Sequence, residues 1–296
     1  MKKNSKGKWM VLAGFLIILL VAVGIVYAQY SKNNPSIEQK EMEESLLEET
    51  SQPPSTEQPE GTEIPEAVLT PEPINTPEPV VTPEPVVKKV IAIDAGHQGK
   101  GNSEHEPIGP GATKTKPKVS SGTQGTKTRI PEYQVNLEVA LKLEKILLDY
   151  GYEVIMIRTT HEVNIPNSER AAIANESNAD AFIRIHCNGS EDSSVAGALT
   201  MCQTKNNSFC GTELYEPSRR LAEKILEEMC AATGAKNQGI IETDTMSGIN
   251  WCEVPVTIVE MGFMTNAAED ELLSSEAYQE KLALGIAQGI NKYFEE

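Results

Sequence analysis

Aromatic side chains are scarce in this chain of 296 residues: Phe, Tyr and Trp make up 5% of it, and two are tryptophan. A surface on which nucleobases stack needs more. Positive charge is short as well, with 26 Lys and Arg against 43 Asp and Glu and a formal net charge of −17. Such a chain repels a phosphate backbone, so nucleic acid is not expected as a partner. Cysteine occurs five times and never as Cys-x-x-Cys, which disfavours both a thiolate zinc site and a disulfide-dense miniature. A single uninterrupted apolar run is long enough to cross a bilayer, which excludes a multi-span membrane protein. Apolar residues reach 39%, low for a chain folded along its whole length.

The apolar run covers residues 9–28 and directly follows four lysines within residues 1–8. A helix of that length spans about 30 Å, and the lysines should stay on the cytoplasmic side, placing everything after residue 29 outside. A retained anchor over residues 1–29 is the preferred reading. A signal peptide cut after Val26-Tyr27-Ala28 is the alternative, and both export the remainder. Residues 30–87 hold 11 of the 18 prolines, and Thr-Pro-Glu-Pro recurs at Thr70, Thr76 and Thr82. Proline removes backbone donors and the many glutamates repel one another, so this segment is expected to be a disordered linker. As polyproline II its outer reach is roughly 170 Å. What remains, residues 88–296, is enough for one well-buried core. The expected product is an extracytoplasmic domain tethered to the membrane, with a monomer as the default.

Within that domain, strands and helices alternate. Residues 89–94 form a β-branched run that ends in Ala95-Gly96, as a buried strand does before a turn. Residues 98–131 are rich in Gly, Lys, Thr and Pro and lack periodicity, which predicts a long loop and a candidate cover for a cleft. Val135, Val139, Leu143, Ile146, Leu147 and Tyr150 recur at helical spacing before Gly151. Further strands are predicted at 152–158, 181–187, 196–202, 239–242 and 255–260. Helices are predicted at 168–177, at 217–233 and along the face of Tyr278, Leu282, Ile286, Ile290 and Tyr293. The pattern specifies a single α/β domain with a mostly parallel or mixed sheet covered by helices on both faces. The odd cysteine count leaves at least one thiol unpaired, and Cys202 with Cys210, which bracket a polar loop, are the expected disulfide.

Ligands of such sheets bind beyond the carboxyl ends of the strands. There the chain places His97, His186 and Glu260, and Glu132 opens the helix that follows the long loop. Two imidazoles and one carboxylate form a common catalytic zinc set, and a second carboxylate can serve as general base and acid. Each residue also has a plainer role. A strand-end histidine is often only hydrogen-bonded, and Glu132 would favour the helix dipole by about 0.3–1 kcal/mol. Glu260 resists the plain account, because a carboxylate in an interior strand needs a metal, a cation or a catalytic reason. His105 and His161 are read as surface residues. Cys187, next to His186, should face the opposite side of the strand and pack in the core.

The succession IAIDAGH (91–97), PEYQVNL (131–137), ERAAIAN (169–175), ADAFIRIHCN (179–188) and IVEMGFMTN (258–266) resembles the zinc-dependent N-acetylmuramoyl-L-alanine amidases of bacterial cell walls, the amidase 3 family. The resemblance covers nearly all of residues 89–294. It implies that His97, Glu132 and His186 hold one Zn²⁺, that Glu260 is the catalytic glutamate, and that peptidoglycan is the substrate. The mechanism so implied has zinc acidify a bound water while Glu260 takes its proton and later passes it to the departing alanine nitrogen. Two departures stand out: Arg184 occupies a position where the family commonly has serine, and the stretch between His97 and Glu132 is longer than in many members. Alternatives to an amidase are a zinc peptidase cutting within the stem peptide, a wall-binding module with a vestigial site, and a tethered domain without metal.

Overall fold

The computed structural model describes residues 88–295. The anchor and linker expected over residues 1–29 and 30–87 lie outside the described residues. Among the described residues, no helix is long and apolar enough to cross a membrane.

Six strands form one mixed sheet: β1 (Val90–Ala95), β4 (Glu153–Met156), β5 (Ala181–Asn188), β6 (Ala198–Cys202), β7 (Asn237–Glu242) and β8 (Val256–Phe263), in the order β4-β1-β5-β8-β6-β7. The first four in that order run parallel, β6 is antiparallel to β8, and β7 is parallel to β6. Helices α1 (Glu132–Asp149), α3 (Tyr215–Thr233) and α6 (Glu276–Glu295) cover one face, and α2 (Asn167–Glu176) and α4 (Ser247–Asn250) cover the other. A short helix, α5 (Ala267–Leu273), follows β8.

Side-chain period explains this layering. Val135, Val139, Leu143 and Leu147 of α1 are all fully buried, four apart, and form one stripe against the sheet. Along β5, Ile183, Ile185 and Cys187 point into that same core, while Phe182 points into the second core beside Ala171 and Ala174 of α2. Cys187 thus packs where strand alternation puts it, opposite His186. Both faces of β1 and β5 are covered, so these strands read as continuous apolar runs rather than alternating ones.

Two expectations are overturned. The long loop over residues 98–131 contains an antiparallel hairpin, β2 (Asn102–Pro107) and β3 (Thr115–Val119). Its strands are mostly exposed and carry no apolar alternation, so backbone pairing and anchoring side chains hold it instead. Glu106 accepts from Ser168 Oγ at 2.6 Å, Asn167 Nδ2 donates to Lys118 O at 2.7 Å, and Trp251 Nε1 donates to Pro107 O at 3.0 Å. The Cys202–Cys210 disulfide is not formed, and all five cysteines are free thiols. The loop between them is closed by polar contacts: Asp244 accepts from Thr204 Oγ1 and Asn207 Nδ2, and Asn207 Oδ1 accepts from Phe209 N.

Helices α3 and α6 approach unusually closely because α6 has glycine at the crossing. A Cβ on Gly289 would lie 2.5 Å from Ile225 Cα and 2.7 Å from Lys224 O, and one on Gly285 would lie 2.6 Å from Met229 Cα. These obstacles are backbone and cannot rotate away. Gly289→Val should therefore destabilise the domain by roughly 1–3 kcal/mol, the overpacking loss exceeding the gain in helix propensity. The expected readout is a lower urea midpoint at unchanged slope; an unchanged midpoint would show that the helices separate freely.

Candidate active site

The carboxyl ends of β1, β5 and β8 lie side by side and open into a cavity of about 510 Å³ that contains all four singled-out residues, His97, Glu132, His186 and Glu260. His186 and Glu260 are register partners across β5 and β8, so their side chains leave the same face of the sheet. His97 sits in the turn after β1 with φ of 60°, a left-handed conformation uncommon for a non-glycine residue. Glu132 is the first residue of α1 and is buried.

Three donor atoms converge. Glu132 Oε1 lies 3.0 Å from His97 Nε2 and 3.2 Å from His186 Nδ1, and the two imidazole nitrogens are 3.2 Å apart. The orientation of each ring has a local cause. His97 Nδ1 lies 2.9 Å from Ser120 O, an acceptor that fixes the proton on Nδ1 and leaves Nε2 with a free lone pair. The His186 ring lies over Gly96, where a Cβ would come within 2.2 Å of it, so Nε2 is buried without a hydrogen bond and Nδ1 faces the cluster. Glu132 is aimed by donors around it: Thr123 N–H to Oε2 at 2.7 Å, Cys187 N–H to Oε1 at 3.1 Å and Asn136 Nδ2 to Oε1 at 3.2 Å.

The electrostatics suit a cation. Burial is the largest influence on Glu132 and opposes ionisation, but hydrogen bonds to His186 and His97 outweigh it and hold the carboxyl well below the usual range. Burial pushes His186 down to about 4, which keeps its imidazole neutral and able to donate a lone pair. Tetrahedral ligands with bonds of about 2.0–2.1 Å stand about 3.3 Å apart, close to the spacings here. His97, Glu132 and His186 are therefore a group that could hold a metal ion. Glu260 stands beside them with Oε2 buried and without a hydrogen-bond partner. Burial, and then the charge of Glu132, push its carboxyl up to about 8.

His105 lies exposed on the hairpin, bonded to Thr115, as expected. His161 departs from the surface reading: it is half-buried, its ring packs edge-on against Tyr133, and its Nδ1 is buried. Sequence reasoning passed over the residues that hold the site together. Arg170 donates to Asp94 Oδ1 (2.6 Å), Ala95 O, His97 O and Gln98 Oε1. Arg158 donates to Ala95 O, Gly96 O and Tyr133 O. Arg184, noticed only as a departure from the family, donates from Nε to Asp94 Oδ2 and forms an ion pair with it through Nη2. A usable signal existed for one of these partners: Asp94 is a charge inside an apolar strand and demanded a buried cation.

The fold and site together define an α/β domain with a His-Glu-His group that could hold a metal ion at the carboxyl ends of its central strands. The family model described as N-acetylmuramoyl-L-alanine amidase (Amidase_3) matches residues 91–292, and the chain belongs to that family. It is similar to the N-acetylmuramoyl-L-alanine amidase LytC of Bacillus subtilis, 29% identical over 70% of this chain and 36% of LytC. It is also similar to the N-acetylmuramoyl-L-alanine amidase AmiA of Escherichia coli, 24% identical over 70% of this chain and 76% of AmiA. The crystal structure of the amidase Ami1 from Mycobacterium smegmatis shares the fold, with a TM-score of 0.64 at 24% identity, covering 70% of this chain and 97% of that one.

Asp94 carries the charge balance under the site. It is fully buried; burial opposes its ionisation, and the charges of Arg170 and Arg184 overcome this and hold its carboxyl well below the usual range. Removing the charge leaves two buried guanidinium groups unpaired, so Asp94→Asn should destabilise the domain by about 3–5 kcal/mol at neutral pH. Because the folded value lies below the unfolded value of about 3.9, this stabilisation is complete above that pH and lost as the pH falls below it. Denaturant titrations at pH 7 and at decreasing pH should show the two proteins converging in acid. A constant difference would mean that Asp94 acts through packing rather than charge.

Proposed function

We propose that this protein is a zinc-dependent N-acetylmuramoyl-L-alanine amidase that hydrolyses the amide between the lactyl group of muramic acid and L-alanine in peptidoglycan. The observation that carries this reading is the convergence of His97 Nε2, Glu132 Oε1 and His186 Nδ1 with the unpartnered carboxyl of Glu260 beside them in one cavity. Membership of the amidase family and the names of its relatives support the bond assigned. Residues 1–29 would anchor the chain and residues 30–87 would let the domain reach the wall from the membrane.

His97, Glu132 and His186 would hold the zinc, which when bound supplies a Lewis acid for the scissile carbonyl and acidifies water. The chain's own residues do the rest. Ser120 O and the amides of Thr123 and Cys187 keep the ligand atoms aimed, so little reorganisation is needed on binding. Glu260 accepts a proton from the attacking water and returns it to the leaving alanine nitrogen. Its Oε2, buried without a hydrogen-bond partner, is free to take that proton. The cavity wall formed by Val119, Ser120 and Gly122 comes from the end of β3 and the residues directly after it, which limits access from that side.

Two measurements test the reading. Peptidoglycan digested with the protein, with and without chelator, should release peptides beginning with L-alanine and leave glycan strands with intact lactyl groups. Shortened stems still attached to glycan would reassign the enzyme as a peptidase. Glu260→Gln should keep bound zinc yet lose turnover by at least about a thousandfold, whereas His186→Ala should lose both. Near-normal turnover in Glu260→Gln would remove that residue from the chemistry.

A further inference from the structure

Arg184 is 4% exposed and lines the same cavity as the metal-binding group. On β5 it stands two residues before His186 on the same face, which separates the two side chains by roughly 7 Å along the strand. Its guanidinium is only partly used. Nε donates to Asp94 Oδ2 at 3.0 Å, Nη2 forms an ion pair with the same oxygen at 2.9 Å, and Nη2 donates to Asn167 Oδ1 at 2.8 Å. Nη1, with two N–H donors, makes no hydrogen bond among the described residues. It runs against Gly248, where a Cβ would lie 1.3 Å from it, and Gly248 lines the cavity too.

The charge count underneath leaves Arg184 in excess. Asp94 is a single carboxylate shared by Arg170 through Oδ1 and Arg184 through Oδ2. Arg170 alone would balance it, and Arg158 is spent on backbone carbonyls. Lys116, from β3, adds a second positive charge to the cavity wall. A buried guanidinium with open donors in a cavity is costly unless an acceptor arrives, and a carboxylate is the acceptor whose planar geometry and charge match it.

We infer that Arg184 Nη1, backed by Gly248 and assisted by Lys116, forms an anion subsite that binds a free carboxylate on the peptide side of the scissile amide. The inference rests on the amidase reading of the same cavity and adds a preference to it. An extended peptide advances about 3.3–3.6 Å per residue, so a carboxylate on the second stem residue lies roughly 7 Å from the bond cut, matching the offset of Arg184 from His186. The enzyme then discriminates stems by that group, favouring the free acid over the amide.

The test uses two soluble muropeptides that differ only in whether the second residue carries a free carboxylate or its amide. The zinc-loaded wild-type protein should cleave the acid with kcat/KM at least about tenfold higher, the difference residing mainly in KM. Arg184→Ser should bring the ratio close to one. Because Arg184 also contacts Asp94, a second variant is needed: Gly248→Ala displaces Nη1 while retaining both charges, and it should reduce the ratio as well. Calorimetric binding of the same two muropeptides to Glu260→Gln should show the same preference without turnover. Equal binding and equal cleavage of acid and amide by wild type would overturn the subsite and leave the amidase intact. Preferential binding of the acid without cleavage of either would uphold the subsite and instead sink the amidase reading.

Discussion

The site depends on the buried grip of two arginines on the turn after β1. That turn must place His97 in a left-handed conformation and cross beneath the ring of His186, with Gly96 the only residue small enough for the crossing. A turn of this kind leaves its carbonyls without strand partners in a buried setting. Arg170 and Arg158 collect them: Ala95 O binds both, Gly96 O binds Arg158, and His97 O binds Arg170. The guanidinium fork is suited to several acceptors in one plane, which an ammonium is not. Asp94 then supplies the negative charge that lets Arg170 remain ionised in the interior. Strain at His97 is thus carried by contacts from Arg158 just after β4, from α2 and from α1 together, so the imidazole position belongs to the fold and not to a loose loop.

From that grip the sheet acquires a gradient along one face. At the start of β5 and β8, Phe182 and its register partner Val256 lie in an apolar cluster under α2 and α4. One step further Arg184 lies over Asp94, and a step beyond that His186 and Glu260 face the cavity as register partners. Period-two alternation makes this possible: the opposite face of β5 stays apolar from Ile183 to Cys187 and keeps its helices. The cavity is consequently lined by both acidic groups, Glu132 and Glu260, and basic ones, Arg184 and Lys116. It therefore presents groups suited to a cation together with groups suited to an anion.

Much of this was legible in the sequence, and what was legible had a period or an anomaly. Val135, Val139, Leu143 and Leu147 announced α1, and the β-branched runs announced β1, β5 and β8. His97, His186 and Glu260 were visible as polar residues at the ends of apolar strands. The hairpin was not legible, because its stability comes from backbone pairing and from Glu106, Asn167 and Trp251 reaching across long sequence separations. Helix α4 spans four residues, too few for any period. Helix α5 did carry a signal that went unread: Asn266 accepts from Ala268 N and Glu269 N as an N-cap, with Glu269 and Asp270 in the first turn. The disulfide expectation failed because a polar loop can be closed as well by Asp244 and Asn207 as by sulfur.

Chemistry and shape are consequently built from different material. His186 and Glu260 stand on interior strands, and Glu132 on the first turn of a packed helix, where side chains are held on several sides. The walls come from the hairpin segment, which is fixed to α2 and to the region of α4 at a few points and whose outward residues are mostly exposed. Changes on those outward strands alter little of the core, since Glu132 is aimed independently by Thr123, Asn136 and Cys187. The segment between Thr123 and Glu132 is itself pinned from outside the hairpin, with Asp270 of α5 accepting from Lys127 N, Thr128 N and Thr128 Oγ1. A change of length between β2 and β3 can therefore reshape the cleft while His97 Nε2, Glu132 Oε1 and His186 Nδ1 keep their spacing.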